Sequence, residues 1–472
     1  MSILKIIPIL LIIQFSVLLW NCSNDTTKLV KYPAIPALET SDMYEVQVNN
    51  RSVWVEKFRT SMDIEKLSDW FTTETYTEIQ QEVHIVNFSC ESQILITLKV
   101  REHVNSVNIR PKSRDVKYII EGNIVRFSLP GPDKLYIEVN ELPPLCLFAN
   151  PVETFIPDST ATNVRYFGPG EHHPGMMTLE DNEILYIAGG AVVYGGIRIN
   201  NASNVKVLGR GILDGEFKHP RMVVPKNSSN IEFNGIMIRN GVSWTNTIIN
   251  CKDVLFKDIK VISFGPGGDG INPLGTQNME ISNCFLRCTD DCIAIKSPDS
   301  TYVVRDITVK DNTMIGYAFS DGITIGFETN GPVVEDVVVS NCDILLARGG
   351  SRVDGHSAFS IICDGPATIR NILYEDIRVE EEVFKLFELH ITDGTKYGVN
   401  PPGHIQDIYL KDIQWSSERP IILKGFDETH RVRNITFENC SIKGEVLDHA
   451  RSDIFEINEF VENVQFLEGS TE

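Results

Sequence analysis

A short pattern recurs along most of the chain after residue 200, and it limits the folds that the chain can adopt. Each copy begins with Asn or Asp, places apolar residues at alternate positions, and passes through a small or polar pair into another apolar run. The spacing between copies runs from 23 residues (Asn230 to Asp253) to 36 residues (Asn371 to Asp407). The copies are NVKVLGRGIL from Asn204, NIEFNGIMI from Asn230, DVLFKDIKV from Asp253, NMEISNCFL from Asn278, DITVKDNTM from Asp306, DVVVSNCDI from Asp336, NILYEDIRV from Asn371, DIYLKDIQW from Asp407, NITFENCSI from Asn434 and the shorter NVQF from Asn463.

This repeat predicts a solenoid of strands. Alternating apolar residues are typical of strands with one buried face, and no helical periodicity lies between the copies. Each copy buries its apolar face by stacking on its neighbours. We therefore predict an all-β protein in which residues 156–472 form a right-handed parallel β-helix. Its coils stack about 4.8 Å apart, so that residues at matching positions form ladders along the outside. Grooves beside such ladders suit long, extended ligands such as polysaccharides.

The chain before residue 155 has a different character. Runs rich in β-branched and aromatic residues are separated by turn-forming stretches such as Glu121-Gly122-Asn123. We predict a small β-sandwich over residues 41–155, joined to the leader by a linker over residues 23–40. The predicted strands cover residues 44–48, 53–58, 83–88, 94–100, 116–120, 124–129 and 135–139.

The first 22 residues read as an export signal. Lys5 precedes an apolar run over residues 6–20, which is short for a membrane span and has the length of a signal-peptide core. Cys22 and the polar residues after it resemble a loose lipoprotein cleavage site, so lipidation of Cys22 and simple cleavage are both compatible with this segment. We predict a protein exported to the periplasm, cell surface or medium, with no membrane span beyond the leader.

Composition excludes some partners. The formal net charge is -21, so the bulk of the surface does not suit a nucleic acid.

Nine of the ten cysteines remain when Cys22 is set aside, and an odd number does not suit a complete disulfide framework. Cys284, Cys288 and Cys292 recur at intervals of four, but no CxxC pair or neighbouring histidine supports a metal site. We predict neither a metal nor another cofactor.

The stretch CTDDCIAIKS, residues 288–297, places two carboxylates before an alternating run. Ile293 and Ile295 should point into the coil, which gives Asp290 and Lys296 the outward parity. Asp291 lies two places before the first inward residue.

Neighbouring coils carry aspartate in the same place as Asp291. GGDGINP contributes Asp269 and FSDGITIG contributes Asp321, each two residues before an isoleucine. Asn246 in NTIIN should occupy this place one coil earlier. Stacked Asp and Asn also serve as turn residues or calcium ligands, and that interpretation stays open. Carboxyl groups this close cannot all ionise at their ordinary pKa values, which keeps one acid protonated beside a base.

The set GGDGIN, CTDDCIAIKS and FSDGITIG resembles glycoside hydrolase family 28, the polygalacturonases. The family motifs are NTDG, a DDC segment continuing into IAIKSG, and GHG followed by SIGS. The resemblance covers roughly residues 160 to 466, and a β-sandwich ahead of the helix resembles the related family 49, the dextranases and isopullulanase. It implies an inverting hydrolase that acts on O-glycosidic bonds of a pectic or neutral polysaccharide or oligosaccharide. Asp290 would be the general acid, and Asp269 and Asp291 would hold and deprotonate the attacking water.

Two departures from the family pattern affect the substrate subsites. Asp321 stands in place of the family histidine, and no RIK motif, which grips galacturonate carboxylates, follows Asp336. We expect Asp321, Lys296, Trp244, Arg352 and His356 to contact substrate, with Arg348 as another source of positive charge. Trp244, Trp415 and Phe327 have aromatic faces that suit a sugar ring.

Two other classes of function stay open. A β-helical polysaccharide lyase would use the aspartates to bind calcium and would form unsaturated products. A glycan-binding solenoid would bind without turnover, and both departures from the family pattern keep that alternative in view.

Overall fold

The computed structural model describes residues 28–59, 82–265, 267–317, 320–348, 357–381, 384–395, 397–399 and 401–468. The predicted leader with Cys22 lies outside these residues, as do Arg352 and His356. Within the described ranges, no helix combines the length and apolar composition needed to cross a membrane.

The front part of the chain forms two sheets. Among the described residues, one sheet contains β1, β4, β5, β7, β10 and β11, and the other contains β2, β3, β6, β8 and β9. The elements are β1 (Leu29–Lys31), β2 (Tyr44–Val48), β3 (Arg51–Val53), β4 (Val55–Arg59), β5 (Glu82–Cys90), β6 (Ile94–Val100), β7 (Val107–Arg110), a 3-10 turn (Lys112–Arg114), β8 (Tyr118–Glu121), β9 (Ile124–Leu129), β10 (Asp133–Val139) and β11 (Leu145–Pro151).

The two front sheets face one another across a shared core. Val46 and Ile96 come from one sheet and Phe88, Ile137 and Leu147 from the other, and all five are buried in one apolar cluster. Side chains on alternate positions of β2 and β6 point into this core, as the alternation in the sequence predicts. The front part is therefore a β-sandwich.

The rest of the chain winds into one continuous sheet of 31 strands among the described residues. The strands are β12 (Val164–Phe167), β13 (Gly170–Leu179), β14 (Ile184–Ile187), β15 (Ala191–Asn200), β16 (Ser203–Gly209), β17 (Ile212–Asp214), β18 (Val223–Lys226), β19 (Ser229–Asn234), β20 (Met237–Arg239), β21 (Asn246–Ile249), β22 (Lys252–Lys257), β23 (Lys260–Ile262), β24 (Ile271–Leu274), β25 (Gln277–Ser282), β26 (Phe285–Cys288), β27 (Ile293–Ser297), β28 (Val303–Lys310), β29 (Thr313–Gly316), β30 (Ile323–Thr329), β31 (Val333–Ala347), β32 (Phe359–Cys363), β33 (Thr368–Val379), β34 (Phe387–Ile391), β35 (His404–Lys411), β36 (Gln414–Trp415), β37 (Ile421–Lys424), β38 (Val432–Glu438), β39 (Ser441–Ile442), β40 (Glu445–Val446), β41 (Phe455–Ile457) and β42 (Val461–Leu467), with a 3-10 segment at His449–Ile454.

Apart from β40, which pairs antiparallel with β39, these strands stack in parallel as a right-handed β-helix, which confirms the predicted fold class. The helix has three faces. Face 1 runs from β16 and β19 through β22 to β38 and carries the repeated motif; face 2 includes β17, β20, β23, β26 and β29; and face 3 includes β18, β21, β24, β27, β30, β32, β34 and β37. The inward residues of all three faces form one continuous apolar core.

The first residue of each repeat has a structural reason to be Asn or Asp. These residues adopt left-handed backbone angles, with φ of 61° at Asn204 and 58° at Asn434, which short polar side chains tolerate best after glycine. Their side chains also bond from coil to coil: the Asn230 amide donates to Asn204 at 2.6 Å and the Asn434 amide donates to Asp407 at 2.7 Å. The Asn or Asp that begins each copy of the repeat therefore marks a turn that occurs once in every coil.

The front sandwich packs against face 2. Phe58 and Phe148 of the sandwich lie in one buried apolar cluster with Phe264 and Phe285 of the helix. The ring centroids of Phe58 and Phe264 are 5.3 Å apart, and those of Phe148 and Phe285 are 5.0 Å apart. Aromatic pairs at these separations contribute beyond the area that they bury.

Arg239 of β20 links the two parts electrostatically. Its guanidinium donates to Glu56 of the sandwich at 2.7 Å and to Asp214 of the helix at 2.7 Å, and it lies 4.1 Å from the Phe58 ring centroid. All three charged side chains are buried. The junction between the sandwich and the helix therefore depends on the positive charge of Arg239, which pairs with one carboxylate from each part.

Replacing this cation should destabilise the protein strongly. We expect Arg239→Met to lower the free energy of unfolding by about 3–5 kcal/mol, because Glu56 and Asp214 would be left buried without their counter-charge. Urea denaturation followed by fluorescence measures the effect. The matched control is Arg370→Met, whose partner Glu335 lies 2.6 Å away at a surface where 44% of the arginine side chain is exposed. That change should cost about 0–1 kcal/mol, and equal losses for the two variants would contradict this role of Arg239.

Candidate active site

The register of face 3 places the aspartates on successive coils. Ile271 pairs with Ile293, and Ile293 pairs with Ile323. Because Asp269, Asp291 and Asp321 each precede one of these isoleucines by two residues, the three aspartates lie one above another. We call Asp269, Asp290, Asp291 and Asp321 the carboxyl cluster. Ile293 and Ile295 point into the apolar core, as the alternation predicts.

The expectation for Asn246 is wrong. Asn246 pairs with Ile271, so it lies two residues beyond the place that the aspartates occupy. Its side chain is buried, and its amide donates to the Gly270 carbonyl at 2.8 Å. The residue that stacks in register before Asp269 is Trp244. An aromatic ring, rather than an amide, therefore adjoins the cluster on its N-terminal side.

Asp321 is the most enclosed member of the cluster. Its carboxylate accepts hydrogen bonds from the Ser357 backbone N–H at 2.8 Å and from the Ser360 hydroxyl at 2.6 Å. Its own backbone N–H donates to the Asp291 carboxylate at 3.0 Å. Burial, followed by the charge of Asp291, holds the pKa of Asp321 well above its usual range. Both oxygens of the Asp321 carboxylate are therefore bound within the protein.

Asp269 is also buried, and its carboxylate accepts a hydrogen bond of 2.6 Å from the Asn272 amide. Burial and then the charges of Asp290 and Asp291 hold the pKa of Asp269 well above its usual range. The negative charges of Asp290 and Asp291 therefore oppose the ionisation of Asp269.

Asp290 and Asp291 are the partly exposed members of the cluster. Burial raises the pKa of Asp290 to about 6, against the opposing effect of Lys296. Burial and the Asp290 charge raise the pKa of Asp291 to about 8. The Asp291 backbone N–H donates to the Asp290 carboxylate at 3.1 Å. Asp291 therefore keeps its proton at neutral pH, whereas Asp290 loses its proton just below neutral pH.

Lys296 is a buried cation whose charge acts on Asp269, Asp290 and Asp291. Its ammonium donates to Glu328 at 2.7 Å and lies 5.0 Å from the Trp244 ring centroid. Burial alone would lower the pKa of Lys296, but the carboxylates of Glu328, Asp269 and Asp291 raise it above the usual value. Lys296 therefore stays charged and lowers the pKa values of the aspartates around it.

Two neighbours of this site carry no signal in the sequence. Glu328 reaches Lys296 because the pairing of β27 and β30 shifts after Ile295, where two extra residues enter β30 before Thr329 pairs with Ser297. Arg221 lies 4.6 Å from the Trp244 ring centroid although it comes from a loop on another coil. Loop and bulge geometry bring both residues in, and neither follows from the repeat.

The structure places the remaining candidates elsewhere. Trp415 is buried in the core and stacks on Phe359, so it is a packing residue. Phe327 is partly exposed and its ring centroid lies 5.9 Å from that of Tyr397. Arg348 lines a cavity of about 100 Å³ between the sandwich and face 2, together with Arg110 and Arg287. No group of three or more His, Cys, Asp or Glu side chains with metal-binding geometry occurs among the described residues.

Such a site suits proton transfer. Four carboxyl groups lie together, and burial and their mutual repulsion make complete ionisation unfavourable even with the Lys296 charge beside them, so protons remain on the cluster near neutral pH. A carboxylic acid beside a carboxylate is the arrangement that general acid and general base chemistry requires.

Comparison with known proteins gives matches in sequence and in fold. The model of the family Glycosyl hydrolases family 28 matches residues 175–460. An exopolygalacturonase of Zea mays is 26% identical over 246 residues, which make up 48% of this chain and 58% of that protein. A probable exopolygalacturonase B of Aspergillus flavus is 26% identical over 178 residues, 35% of this chain and 38% of that protein. The match thus spans less than two thirds of either relative.

Two solved structures share the fold. Dex49A from Penicillium minioluteum superposes with a TM-score of 0.56 and 14% identity over 93% of this chain and 96% of that chain. A hyperthermoactive exopolygalacturonase from Thermotoga maritima superposes with a TM-score of 0.51 and 17% identity over 64% of this chain and 83% of that chain.

The raised pKa values predict a pH-dependent gain in stability when Asp291 is made neutral. The folded-state pKa of Asp291, about 8, exceeds the value near 4 of an unfolded chain. Its contribution to stability is therefore present below pH 4 and is lost as the pH rises through 8. We expect Asp291→Asn to match the wild type near pH 4 and to exceed its free energy of unfolding by at least about 1 kcal/mol at pH 8.

Asp427→Asn is the matched control, because hydrogen bonds from the His430 backbone and the Thr429 side chain lower the pKa of Asp427. This variant should lose stability at neutral pH, and its difference from the wild type should shrink as the pH falls. Urea denaturation at pH 4, 6 and 8 measures both curves. A pH-independent effect of Asp291→Asn would contradict the assignment.

Proposed function

Because the chain belongs to family 28 of the glycosyl hydrolases, we propose that it hydrolyses O-glycosidic bonds of a polysaccharide with inversion of the anomeric centre. The observation that carries this proposal is the carboxyl cluster on three successive coils, in which the pKa values of the two more accessible members, Asp290 and Asp291, are raised toward neutral pH. We propose that the reaction is of the polygalacturonase type and that the subsites that bind the sugar differ from those of a polygalacturonase.

We assign the roles as follows. Asp290 donates a proton to the leaving oxygen, and Asp269 and Asp291 hold and deprotonate the water that attacks the anomeric carbon, which requires one of these two carboxyl groups to be ionised when substrate is bound. The Asp321 backbone N–H supports the carboxylate of Asp291 by a hydrogen bond of 3.0 Å. Lys296 supplies the positive charge that allows part of the cluster to ionise. Trp244 offers its ring face to a sugar one coil before Asp269.

The altered subsites are proposed from the coil that follows Asp321. Strand β32 there reads FSIIC and contains no Arg or Lys. Ser360 of this strand pairs with Thr324 and gives its hydroxyl to Asp321. The described part of this coil, from residue 357 to residue 363, therefore offers no cation to a galacturonate carboxylate beside the scissile bond. We propose that the sugar in this position is uncharged.

Export is part of the proposal and rests on the leader sequence. The apolar run over residues 6–20 and Cys22 would deliver the protein to the outside of the inner membrane, with or without a lipid anchor. Polysaccharide substrates are met in those compartments.

The first test is loss of activity in Asp290→Asn. We expect the rate of reducing-end release to fall about 10²- to 10⁴-fold, the contribution of a general acid, with no growth in absorbance at 235 nm in either protein. The substrates are polygalacturonate, rhamnogalacturonan, dextran and pullulan. The matched control is Asp299→Asn, in the turn after β27, where the aspartate bonds Thr301 and lies at the surface.

Retention of full activity by Asp290→Asn would contradict its role. Absorbance growth at 235 nm would replace hydrolysis with a lyase reaction. Binding of a glycan by the folded wild type without any turnover would replace the enzyme with a binding solenoid.

Inversion makes a separate prediction. Proton NMR recorded during the first minutes of hydrolysis should show a product whose anomeric configuration is opposite to that of the cleaved bond, before mutarotation mixes the two anomers. A first product with the configuration retained would require a covalent intermediate and would exclude the proposed roles of Asp269 and Asp291.

A further inference from the structure

Strand β8 lies at one edge of the front sandwich and exposes a row of apolar side chains. Its sheet has the order β3-β2-β6-β9-β8, and among the described residues β8 pairs with no strand except β9. Tyr118, Ile119 and Ile120 follow one another on β8 and are 40%, 64% and 38% exposed. Unpaired edges favour strand pairing between chains, and proteins usually protect them with charged residues or proline. The middle of this edge has neither.

The hairpin that contains β8 determines which backbone groups point outward. A two-residue loop, Gly122-Asn123, joins β8 to β9, and its glycine has φ of 65°. In such a hairpin the residues that flank the loop exchange backbone hydrogen bonds, and bonded and non-bonded pairs alternate from there. Glu121 and Ile119 therefore bond to β9. The N–H and C=O groups of Tyr118 and Ile120 point away from the sheet, where a further strand can bind them.

The side chains of β8 also fit a further strand. Tyr118 and Ile120 lie opposite Phe127 and Val125 of β9, and both of these β9 residues are buried. Tyr118 and Ile120 are thus on the core side of the sheet, but within the described part of the chain no strand covers them. Ile119 lies on the opposite side of the sheet. A strand placed beside β8 would extend the apolar core on one side and cover Ile119 on the other.

We propose that two copies of this chain pair through β8 in antiparallel orientation, about a two-fold axis that passes through Ile119. In this register Tyr118 of each copy exchanges backbone hydrogen bonds with Ile120 of the other copy, using the groups that point outward. Ile119 faces its own counterpart. Lys117 of each copy faces Glu121 of the other.

Lys117 and Glu121 select a second copy as the occupant and determine its register. Both side chains are accessible: Lys117 is 83% exposed beside Asp115, and Glu121 is 61% exposed beside Arg126. They lie two residues before and two residues after Ile119, so an axis at Ile119 forms two ion pairs of opposite charge. Cross-strand pairs of this kind stabilise a sheet, whereas like charges destabilise it. A register shifted by two residues would place Ile119 opposite Lys117 or Glu121 and would lose both pairs.

The dimer is independent of the proposed hydrolase activity, because β8 lies in the sheet that faces away from the helix. The apolar cluster between sandwich and helix contains strand residues from β4, β5, β10 and β11, all in the other sheet. Each copy has one β8 edge, so two-fold pairing closes at two copies. One short strand from each copy makes a small interface, and the net charge of -21 on each copy opposes association. The dimer should therefore be weak.

Sedimentation velocity tests the dimer. The protein is the chain from Ser23 onward, which keeps every residue that the structure describes and lacks both the predicted leader and Cys22. We expect exchange between one and two copies as the loading concentration rises from about 1 to about 100 µM, the range for a weak interface. Monomers over the whole range would overturn the proposal. Species larger than a dimer would overturn two-fold pairing through β8.

Charge reversal tests the register. Lys117→Glu and Glu121→Lys, each alone, should raise the dissociation constant of the dimer at least about 10-fold, because the two-fold axis converts both ion pairs into like-charge pairs. An equimolar mixture of the two variants should associate about as tightly as the wild type, since every glutamate then faces a lysine. Lys99→Glu is the matched control, because Lys99 pairs with Glu45 at 2.8 Å within the same sheet, away from the edge. Association that the mixture does not restore would overturn this register.

A disulfide tests the register independently of charge. Facing residues that exchange no backbone hydrogen bonds have Cα atoms about 4.5 Å apart, which a disulfide can span. Ile119→Cys should therefore form covalent dimers in oxidised glutathione, seen on a non-reducing gel. The nine cysteines after Cys22 are all buried, so the wild type gives the background. Lys99→Cys measures cross-linking by random collision, and equal cross-linking of the two variants would overturn the proposed axis.

Discussion

Backbone pairing between successive coils is the constraint on which the rest of this structure depends. The Gly270 N–H donates to the Asp291 carbonyl at 2.8 Å, and the Cys292 N–H donates to the Asp321 carbonyl at 3.0 Å. Because parallel strands stack residue on residue, any side chain that recurs in the sequence becomes a ladder in space. The asparagine ladder of face 1 and the carboxyl cluster of face 3 are two results of the same register, one serving the turns and the other serving chemistry.

The register forces together groups that would otherwise separate. Asp269 and Asp321 are buried beside Asp291, and each has a pKa well above its usual range because burial and neighbouring charges oppose ionisation. Lys296 limits this cost, and Glu328 holds Lys296 in place at 2.7 Å. A site that keeps protons on carboxyl groups near neutral pH is therefore less stable than an apolar coil of the same shape, which is the usual relation between stability and catalysis.

The two parts of the chain contribute differently to the site. Face 2 is covered by the front sandwich through aromatic pairs and through Arg239, whose charge Glu56 and Asp214 share. Trp244 and the carboxyl cluster lie on face 3, away from that contact. The coils supply a regular spacing, and the residue type at each coil sets what kind of sugar fits there.

The sequence by itself determined the architecture and the centre of the site. The recurring Asn or Asp and the alternating apolar residues predict a coil with one left-handed turn in a fixed place, and the structure has that turn at Asn204, Asn434 and their equivalents. Front strands with clear alternation, such as β2 and β6, were predicted at their observed bounds, whereas β7 and β11 were missed because they lack a clean alternation. The alignment of Asp269, Asp291 and Asp321 followed from their common distance to an isoleucine.

Only the tertiary structure decided which other side chains reach this centre. Asn246 lies two residues away from the expected place and Trp244 adjoins Asp269 instead, because the loop before β21 sets the register and its length is not part of the repeat. Glu328 meets Lys296 through a bulge in the pairing of β27 with β30. Short-range patterns determine how each coil is built, but loops and bulges of unequal length determine which residues of different coils become neighbours.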